Sequence, residues 1–149
     1  MEGNIVIKKC NIQDVLILRH QVMYPEKDLK YVEVPGDYDE STIHLGLYDN
    51  RKEDGDKKPI SVMSLFIKKE CGDMQFRKFA TMVEHQNKGY GTILFNYVLN
   101  FAKDNNIKRI WCNARKEKID FYLRKFNFKE TNQTYTKDGR EFIIIELIL

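Results

Sequence analysis

A six-residue segment in the middle of the chain combines residue types that can bind phosphate: Gln86-Asn87-Lys88-Gly89-Tyr90-Gly91. It follows an alternating, strand-like run and opens an amphipathic helix, so free backbone N–H groups and the positive end of the helix dipole can face an anion. Gly89 and Gly91 lack a Cβ, which lets a bulky anion approach the backbone closely. Lys88, with Arg77 and Lys78 nearby, adds positive charge. The segment therefore predicts a pyrophosphate-binding loop.

The spacing within the segment decides which phosphate loop it is. A P-loop requires the pattern GxxxxGK(S/T), which the sequence lacks. A dinucleotide fingerprint requires a third small residue where Leu94 stands, within an early βαβ unit. The pattern present, Q/R-x-x-G-x-G/A, resembles the coenzyme A loop of the GCN5-related N-acetyltransferases (GNAT).

A second segment further along the chain resembles the other signature of that family, in which an Asn ends the fifth strand and a helix carrying FYxKxGF follows. Here Asn113 ends an apolar run, and residues 120–128 read DFYLRKFNF. Asn127 replaces the glycine of the signature, and Asn is the non-glycine residue that best tolerates the left-handed conformation that ends a helix. With both motifs in this order, the resemblance to the family extends over nearly the whole chain.

Composition and charge fit one enzyme domain. A chain of 149 residues suffices for one core and is short for two, so we expect a single domain over residues 1–149. The net charge of +3, with both signs interspersed, argues against nucleic-acid binding. The first ten residues lack a signal-peptide h-region and no apolar run could span a membrane, so we expect a cytoplasmic protein without membrane contact. Scattered Cys10, Cys71 and Cys112 are expected to be reduced thiols, and no metal site is expected.

Hydrophobic periodicity predicts an alternation of strands and helices. Strands are predicted over residues 4–8, 42–48, 60–68, 74–83 and 107–113, with a final hairpin of residues 128–134 and 142–149 around Asp138-Gly139. Asn11 is predicted to cap a first helix, and apolar stripes predict further helices over residues 90–102 and 119–126. Residues 24–41 are predicted to be a loop with one short helix. This order matches the GNAT fold, an α/β (α+β) fold whose mostly antiparallel mixed sheet is splayed between strands 4 and 5 and flanked by helices.

The resemblance implies how acetyl-CoA binds. In the family the cofactor enters the gap between the fourth and fifth strands, and its pantetheine amides pair with the exposed backbone of the fourth strand. By position, the residues expected to contact it belong to the end of that strand, the loop, the fifth strand and the following helix: Thr81, Met82, Val83, Gln86, Asn87, Lys88, Gly89, Tyr90, Gly91, Thr92, Asn113, Phe121 and Lys125.

The reaction implied by the resemblance is attack of an amine on an acetyl thioester. The amine must lose a proton, since an alkyl ammonium has a pKa of about 10. The departing thiolate must gain a proton. Tyr122 matches the family's usual general acid, while its place in an apolar stripe also fits a core aromatic. Glu84, at the end of the predicted cofactor strand, is the best candidate for the general base, directly or through water. A solvated residue beside Lys88 is the alternative for Glu84.

The acceptor is the least constrained part of the site. Residues 33–40, EVPGDYDE, carry four carboxylates, and in the family this region roofs the acceptor site. An acidic roof suits a cationic amine such as a polyamine, an aminoglycoside or a lysine side chain; a solvated polar loop is the alternative. A narrower likeness, to a bacterial subgroup with a WCNAR motif, implies four acceptor-site residues, each of which can equally serve a structural ion pair or cap: Arg19, Asp37, His44 and Arg115.

These expectations combine into an N-acetyltransferase that moves an acetyl group from acetyl-CoA to a primary amine, with a small cationic amine as acceptor. Two alternatives remain open at this point. One is a non-catalytic domain that binds or senses acyl-CoA, and the other is a protein or peptide acetyltransferase acting on lysine or the N-terminus. The apolar final strand fits either an internal position in the sheet or pairing across a dimer. The sequence therefore leaves open whether the protein is a monomer or a homodimer.

Overall fold

A computed structural model describes residues 4–51 and 58–149. Its strands are β1 (Ile5–Lys9), β2 (Ile43–Asp49), β3 (Ser61–Lys68), β4 (Asp73–Thr81), β5 (Arg109–Arg115), β6 (Lys129–Lys137) and β7 (Arg140–Ile148). Its α-helices are α1 (Ile12–Met23), α2 (Tyr90–Asp104) and α3 (Asp120–Phe126). The strands form one seven-stranded sheet in the order β1-β2-β3-β4-β5-β7-β6.

The sheet is antiparallel except between β4 and β5, which run parallel. The predicted fold class is therefore confirmed. The apolar final strand β7 pairs with β5 on one side and β6 on the other, so it is internal to the sheet. Asp138 and Gly139 have φ values of 52° and 75°, which is the positive-φ pair that a tight two-residue hairpin turn requires.

The sheet separates two apolar layers. On one face α1 packs Val15 and Leu18 against Val62 and Ala80. The other face carries α2 and α3, and the buried stripe of α2 consists of Tyr90, Leu94, Phe95, Val98 and Ala102. Such spacing is that of a helix with one apolar side, because residues three and four apart share a face. We refer below to the α1 face and the α2 face of the sheet.

Strands β4 and β5 separate soon after they meet. Their parallel pairing covers only residues 73–75 and 109–111, whereas β4 continues to pair with β3 up to Thr81 and β5 continues to pair with β7 up to Arg115. The remaining parts of the two strands diverge and leave a gap between them. The predicted splay is thus confirmed.

A bulge interrupts β4 beside this gap. The register with β3 shifts opposite residues 62–64, and Lys78 has a φ of 55°. Phe76 and Phe79 both pack on Phe95 of α2, with ring centroids 5.1 Å and 5.9 Å away. Residues three apart share a face of a strand only if an extra residue lies between them, since side chains alternate. Arg77 and Lys78 therefore both lie on the α1 face.

The strand boundaries agree with the predictions to within a few residues, but the end of β4 matters for function. The strand was expected to continue to residue 83, and it ends at Thr81. Val83–His85 form a 3-10 turn that redirects the chain toward α2. No helix in residues 4–51 and 58–149 is long and apolar enough to cross a bilayer.

Candidate functional site

The loop at the start of α2 has the backbone that its glycines predict. Gly89 is the N-cap residue, with a φ of 88°, and Asn87 also has a positive φ of 62°. No side chain caps this end of α2 among the described residues, so the first N–H groups of the helix remain available to an anion. A Cβ built on Gly89 would meet nothing within 4 Å. The loop therefore opens onto free space, and its positive φ at this position favours glycine.

Gly91 has a different role, because it lets the first turn of α2 approach the end of β4. A Cβ on Gly91 would lie 3.2 Å from Cζ of Phe79 and 4.0 Å from Oγ1 of Thr81. Gln86 strengthens the same junction, since its Nε2 donates to the carbonyl of Thr81 over 3.0 Å. The structure thus brings three predicted cofactor residues, Thr81, Gln86 and Gly91, to one corner of the gap.

Helix α3 contributes the other predicted contacts. Nζ of Lys125 donates to Oγ1 of Thr92 over 3.3 Å and lies 5.4 Å from the ring centroid of Phe121. The Phe121 ring is 6.3 Å from that of Phe79 on β4. Thr92, Phe121 and Lys125 are therefore neighbours beside the loop. Asn113 is exposed on β5, on the far side of the gap.

Met82 and Val83 were expected to continue β4 beside the cofactor, but they lie beyond the end of that strand. The N–H of Met82 donates to the carbonyl of Ile60 over 2.8 Å, and Val83 is 68% exposed in the 3-10 turn. Glu84 and Lys88 are both exposed. Exposure is compatible with a solvated base at Glu84 and with a phosphate-facing cation at Lys88. Tyr90 is buried, so only its backbone is available to a ligand of the loop.

Tyr122 is half-buried within an aromatic cluster. Its ring centroid lies 5.1–5.8 Å from those of four neighbours: Phe76, Phe95, Phe121 and Phe128. Burial raises the pKa of the Tyr122 hydroxyl, and the nearby Cys112 raises it further. The phenol therefore stays protonated at neutral pH, which a proton donor requires. The packing fixes the ring and is equally compatible with a purely structural aromatic.

Three of the four predicted acceptor residues form one buried network. Nη1 and Nη2 of Arg19 donate to the two carboxylate oxygens of Asp37 over 2.8 Å and 2.9 Å, and both side chains are fully buried. Arg19 also donates to the carbonyl of Val32 and to Oγ of Ser64, each over 2.9 Å. His44 completes the network, with Nδ1 2.7 Å from Oγ of Ser64 and Nε2 2.8 Å from the carbonyl oxygen of Asp37.

This network fastens the loop of residues 24–41 to the sheet. Burial alone would raise the pKa of the Asp37 carboxyl, but hydrogen bonds from Arg19 and the Val34 N–H outweigh it and hold that pKa below its usual value. The polar atoms of Arg19 and Asp37 face each other, as in the structural ion pair that the sequence left open. Arg115 is not part of the network and lies half-buried at the end of β5.

Two cations near the gap lie elsewhere than the sequence pattern predicted. Arg77 and Lys78 were expected to add charge beside the phosphate loop, but the bulge turns both toward the α1 face, away from α2. No periodicity in the sequence reveals a bulge, because alternation alone places consecutive residues on opposite faces. Within the described ranges, no cluster of three or more potential metal ligands is present.

The comparisons with known proteins agree with this geometry. The model of the acetyltransferase (GNAT) family matches residues 12–128, and the chain belongs to this family. Similar solved structures include an acyl-CoA N-acyltransferase from Pseudomonas aeruginosa, with 19% identity and a TM-score of 0.75 over 95% of this chain and 97% of that one. At such identity the likeness establishes the fold.

Two further structures illustrate the range of acceptors on this fold. Spermidine N-acetyltransferase from Vibrio cholerae, in complex with CoA and spermine, has 15% identity and a TM-score of 0.73 over 98% of this chain and 96% of that one. The ribosomal-protein-S18-alanine N-acetyltransferase from Escherichia coli has 16% identity and a TM-score of 0.72 over 97% and 93%. One relative is thus named for a polyamine and the other for a protein.

Proposed function

We propose that this protein is an N-acetyltransferase that moves the acetyl group of acetyl-CoA to a small primary amine by direct attack in a ternary complex. One observation carries the proposal: the splayed end of β4 adjoins a helix N-terminus whose loop holds two residues at positive φ, Asn87 and Gly89, and opens onto free space. Membership of the GNAT family supports the same class of reaction.

The described residues fit acetyl-CoA. Beyond residue 75 the backbone of β4 has no strand partner on the β5 side, and such an edge can pair with the amides of an extended pantetheine arm. The N–H groups of residues 87–92 are suited to the pyrophosphate, next to Lys125. Asn113 borders the gap from β5. Acetyl-CoA held there supplies an acyl carbon that its thioester makes reactive.

The proposed chemistry uses Glu84 and Tyr122. Glu84, directly or through water, accepts a proton from the acceptor ammonium, and the neutral amine nitrogen then forms a C–N bond with the acetyl carbon as the C–S bond breaks. Tyr122 donates its phenolic proton to the departing sulfur, which leaves CoA as a thiol. A second proton from the nitrogen restores the phenol. One amide, one CoA thiol and one proton are produced for each ammonium consumed.

A small amine is the proposed acceptor because the loop of residues 24–41 is acidic, with four carboxylates in residues 33–40. A shallow cavity of about 490 Å3 in this loop includes Glu33, Tyr38 and Asp39 in its lining. The Tyr38 hydroxyl donates to Oε2 of Glu33 over 2.9 Å, which orients that carboxylate. Carboxylates and an aromatic ring are suited to an ammonium group. The complex of a relative with CoA and spermine supports a small-molecule acceptor.

Calorimetric titration with acetyl-CoA, followed by CoA-release assays on a panel of amines and peptides, tests the proposal. Micromolar binding with turnover of small amines is the expected result. Binding without turnover of any acceptor would replace the enzyme by an acyl-CoA-sensing domain. Turnover confined to peptides would favour the protein acetyltransferase that the Escherichia coli relative exemplifies. Absence of acetyl-CoA binding would contradict the assignment of the loop.

A further inference from the structure

Two consecutive cations occupy the α1 face at the point where β4 leaves β5. The bulge at Lys78 places Arg77 and Lys78 on this face together, and both side chains are half-buried. Arg77 lies opposite Ser64 in the register with β3, and Ser64 is bonded to Arg19. Nζ of Lys78 lies 5.0 Å from the ring centroid of Tyr24, at the end of α1. Both cations therefore border the loop of residues 24–41, which the network of Arg19 and Asp37 attaches to the sheet.

Contacts among the residues that the structure describes do not neutralise these cations. None of the ion pairs between described residues includes Arg77 or Lys78. The carboxylate of Asp37 raises the pKa of Arg77, but both of its oxygens already accept from Arg19. Burial lowers the pKa of Arg77 and of Lys78, and the neighbouring cations lower both further. Tyr24 raises the pKa of Lys78, but not enough to restore its usual value.

The opposite side of the gap continues this positive surface. Beyond the paired residues 75 and 111, continued register brings Arg77 level with Asn113. Cys112 and Ala114 are buried in the layer on the α2 face, so the alternating Asn113 and Arg115 lie on the α1 face. Arg115 also takes part in no ion pair between described residues. Unpaired cations thus border the α1-side mouth of the gap on both strands.

Tyr135 forms a further wall of this mouth. Its ring stacks on that of Phe142, with centroids 5.2 Å apart and planes 20° from parallel. Phe142 alternates with the buried Ile143 and lies opposite Arg115. Tyr135 pairs with Phe142 in the register of β6 and β7. Its ring therefore lies on the α1 face on the β5 side of the gap, and Arg77 lies on the same face across the gap.

A half-buried cation without a counter-charge is costly in the free protein, because it has lost part of its hydration without gaining a partner. Such groups are typical of sites where a ligand supplies the opposite charge. A guanidinium offers a planar pair of donors that matches a carboxylate or phosphate, and an ammonium adds a compact charge beside it. Arg77 and Lys78 present this combination at the α1-side mouth of the gap between β4 and β5.

We propose that the acceptor amine also carries an oxyanion, a carboxylate or a phosphate, that Arg77 and Lys78 bind. The proposal rests on the proposed N-acetyltransferase function and narrows its acceptor class. The acceptor has an ammonium group for the acetyl transfer and an anionic group for the cation pair, as in an amino acid or an aminoalkyl phosphate. A polyamine lacks the anion and leaves both cations unpaired.

Matched acceptor pairs test the proposal. CoA release is measured for phenylalanine and its amide, γ-aminobutyrate and its amide, and O-phosphoethanolamine and ethanolamine. At least one acceptor that carries the anion is expected to exceed its counterpart without the anion in kcat/KM by about 10- to 100-fold, the range of a hydrogen bond to a charged group. The acceptor pair that shows the larger preference identifies the anion as a carboxylate or a phosphate. A preference for the members without the anion, or for spermidine, would overturn the proposal.

Variants then assign the preference to these residues. Arg77→Gln and Lys78→Gln are expected to remove the preference for the anion mainly through KM, with Arg77→Lys intermediate, and to affect the amines that lack the anion much less. Arg140→Gln is the matched control, because Arg140 is exposed in the β6–β7 hairpin. An equal loss for acceptors with and without the anion would overturn the proposal and show that Arg77 is merely structural.

A measurement without any acceptor keeps the proposal separable from the enzymatic function. With CoA saturating its own site, inorganic phosphate is expected to raise the Tm of the wild type and of Arg140→Gln, but not that of Arg77→Gln. Equal phosphate shifts in all three proteins would overturn the anion site while leaving the acetyltransferase intact. Failure of CoA to bind would overturn the proposed function itself.

Discussion

Replacing Gly89 by aspartate tests the phosphate-loop assignment most sharply, because the chain offers a matched control. Gly89→Asp and Gly89→Asn introduce side chains of the same size and shape, and only the first adds a charge. Both residue types adopt positive φ elsewhere in this protein, Asp138 at 52° and Asn127 at 61°. A Cβ at position 89 meets no atom within 4 Å. Both variants are therefore expected to fold.

The magnitudes follow from backbone strain and Coulomb repulsion. A non-glycine residue in the left-handed region costs roughly 1 kcal/mol, which lowers the Tm of a domain of this size by about 2–4 °C. Two like charges about 4 Å apart repel by roughly 1 kcal/mol in water and 4 kcal/mol near a protein surface. Aspartate at position 89 is thus expected to weaken acetyl-CoA binding by about 5- to 1000-fold relative to asparagine.

Calorimetric titration of the wild type and both variants with acetyl-CoA measures this difference, and thermal unfolding confirms that all three are folded. Repeating the titration at high ionic strength should narrow the gap between aspartate and asparagine, since salt screens exposed charges. Equal acetyl-CoA affinity in folded Gly89→Asp and Gly89→Asn would refute the placement of the pyrophosphate at this loop.

Three further predictions concern the acid, the buried ion pair and the end of α3. Tyr122→Phe is expected to lower kcat by about 10- to 1000-fold with acetyl-CoA affinity unchanged; a fully active variant in the CoA-release assay would make Tyr122 a packing residue only. Asp37→Ala, which leaves the fully buried Arg19 unpaired, should cost about 3–5 kcal/mol in urea unfolding, and a loss below 1 kcal/mol would contradict it. Because the folded pKa of Asp37 is lowered, its contribution should be complete above the unfolded pKa of about 3.9 and be lost as pH falls through the folded value; an Arg19→Met/Asp37→Leu double variant should lack this acid-dependent loss. Asn127→Gly should leave stability nearly unchanged and Asn127→Ala should reduce it by roughly 1 kcal/mol, and equal thermal stability of the two would show that its φ of 61° carries no strain.

Local rules were sufficient where one residue type determines the backbone. Asn11 caps α1 by accepting from the N–H of Asp14 over 2.9 Å, as its position before an apolar stripe predicts. Asn127 ends α3 in the left-handed conformation expected of it. Asp138 and Gly139 form the predicted hairpin turn. Each of these features depends on neighbours within a few positions of the sequence.

Features that depend on distant contacts were not predictable in the same way. The bulge in β4 and the early end of that strand at Thr81 arise from pairing with β3, which the sequence of β4 alone does not encode. The ion pair of Arg19 with Asp37 joins a helix to a loop, and sequence could place both residues near the acceptor without showing that they face each other. The cations on the α1 face became visible only once the bulge was known.

Transfer of the acetyl group is the central claim, and isotope-labelled acetyl-CoA tests it most directly. The protein is incubated with acetyl-CoA labelled in the acetyl group and an amine panel, and the label is followed by NMR. The proposed function predicts that the label moves into an N-acetyl amide as free CoA thiol accumulates, and that Tyr122→Phe slows both together. Label that stays in acetyl-CoA, or passes only to acetate, would contradict it.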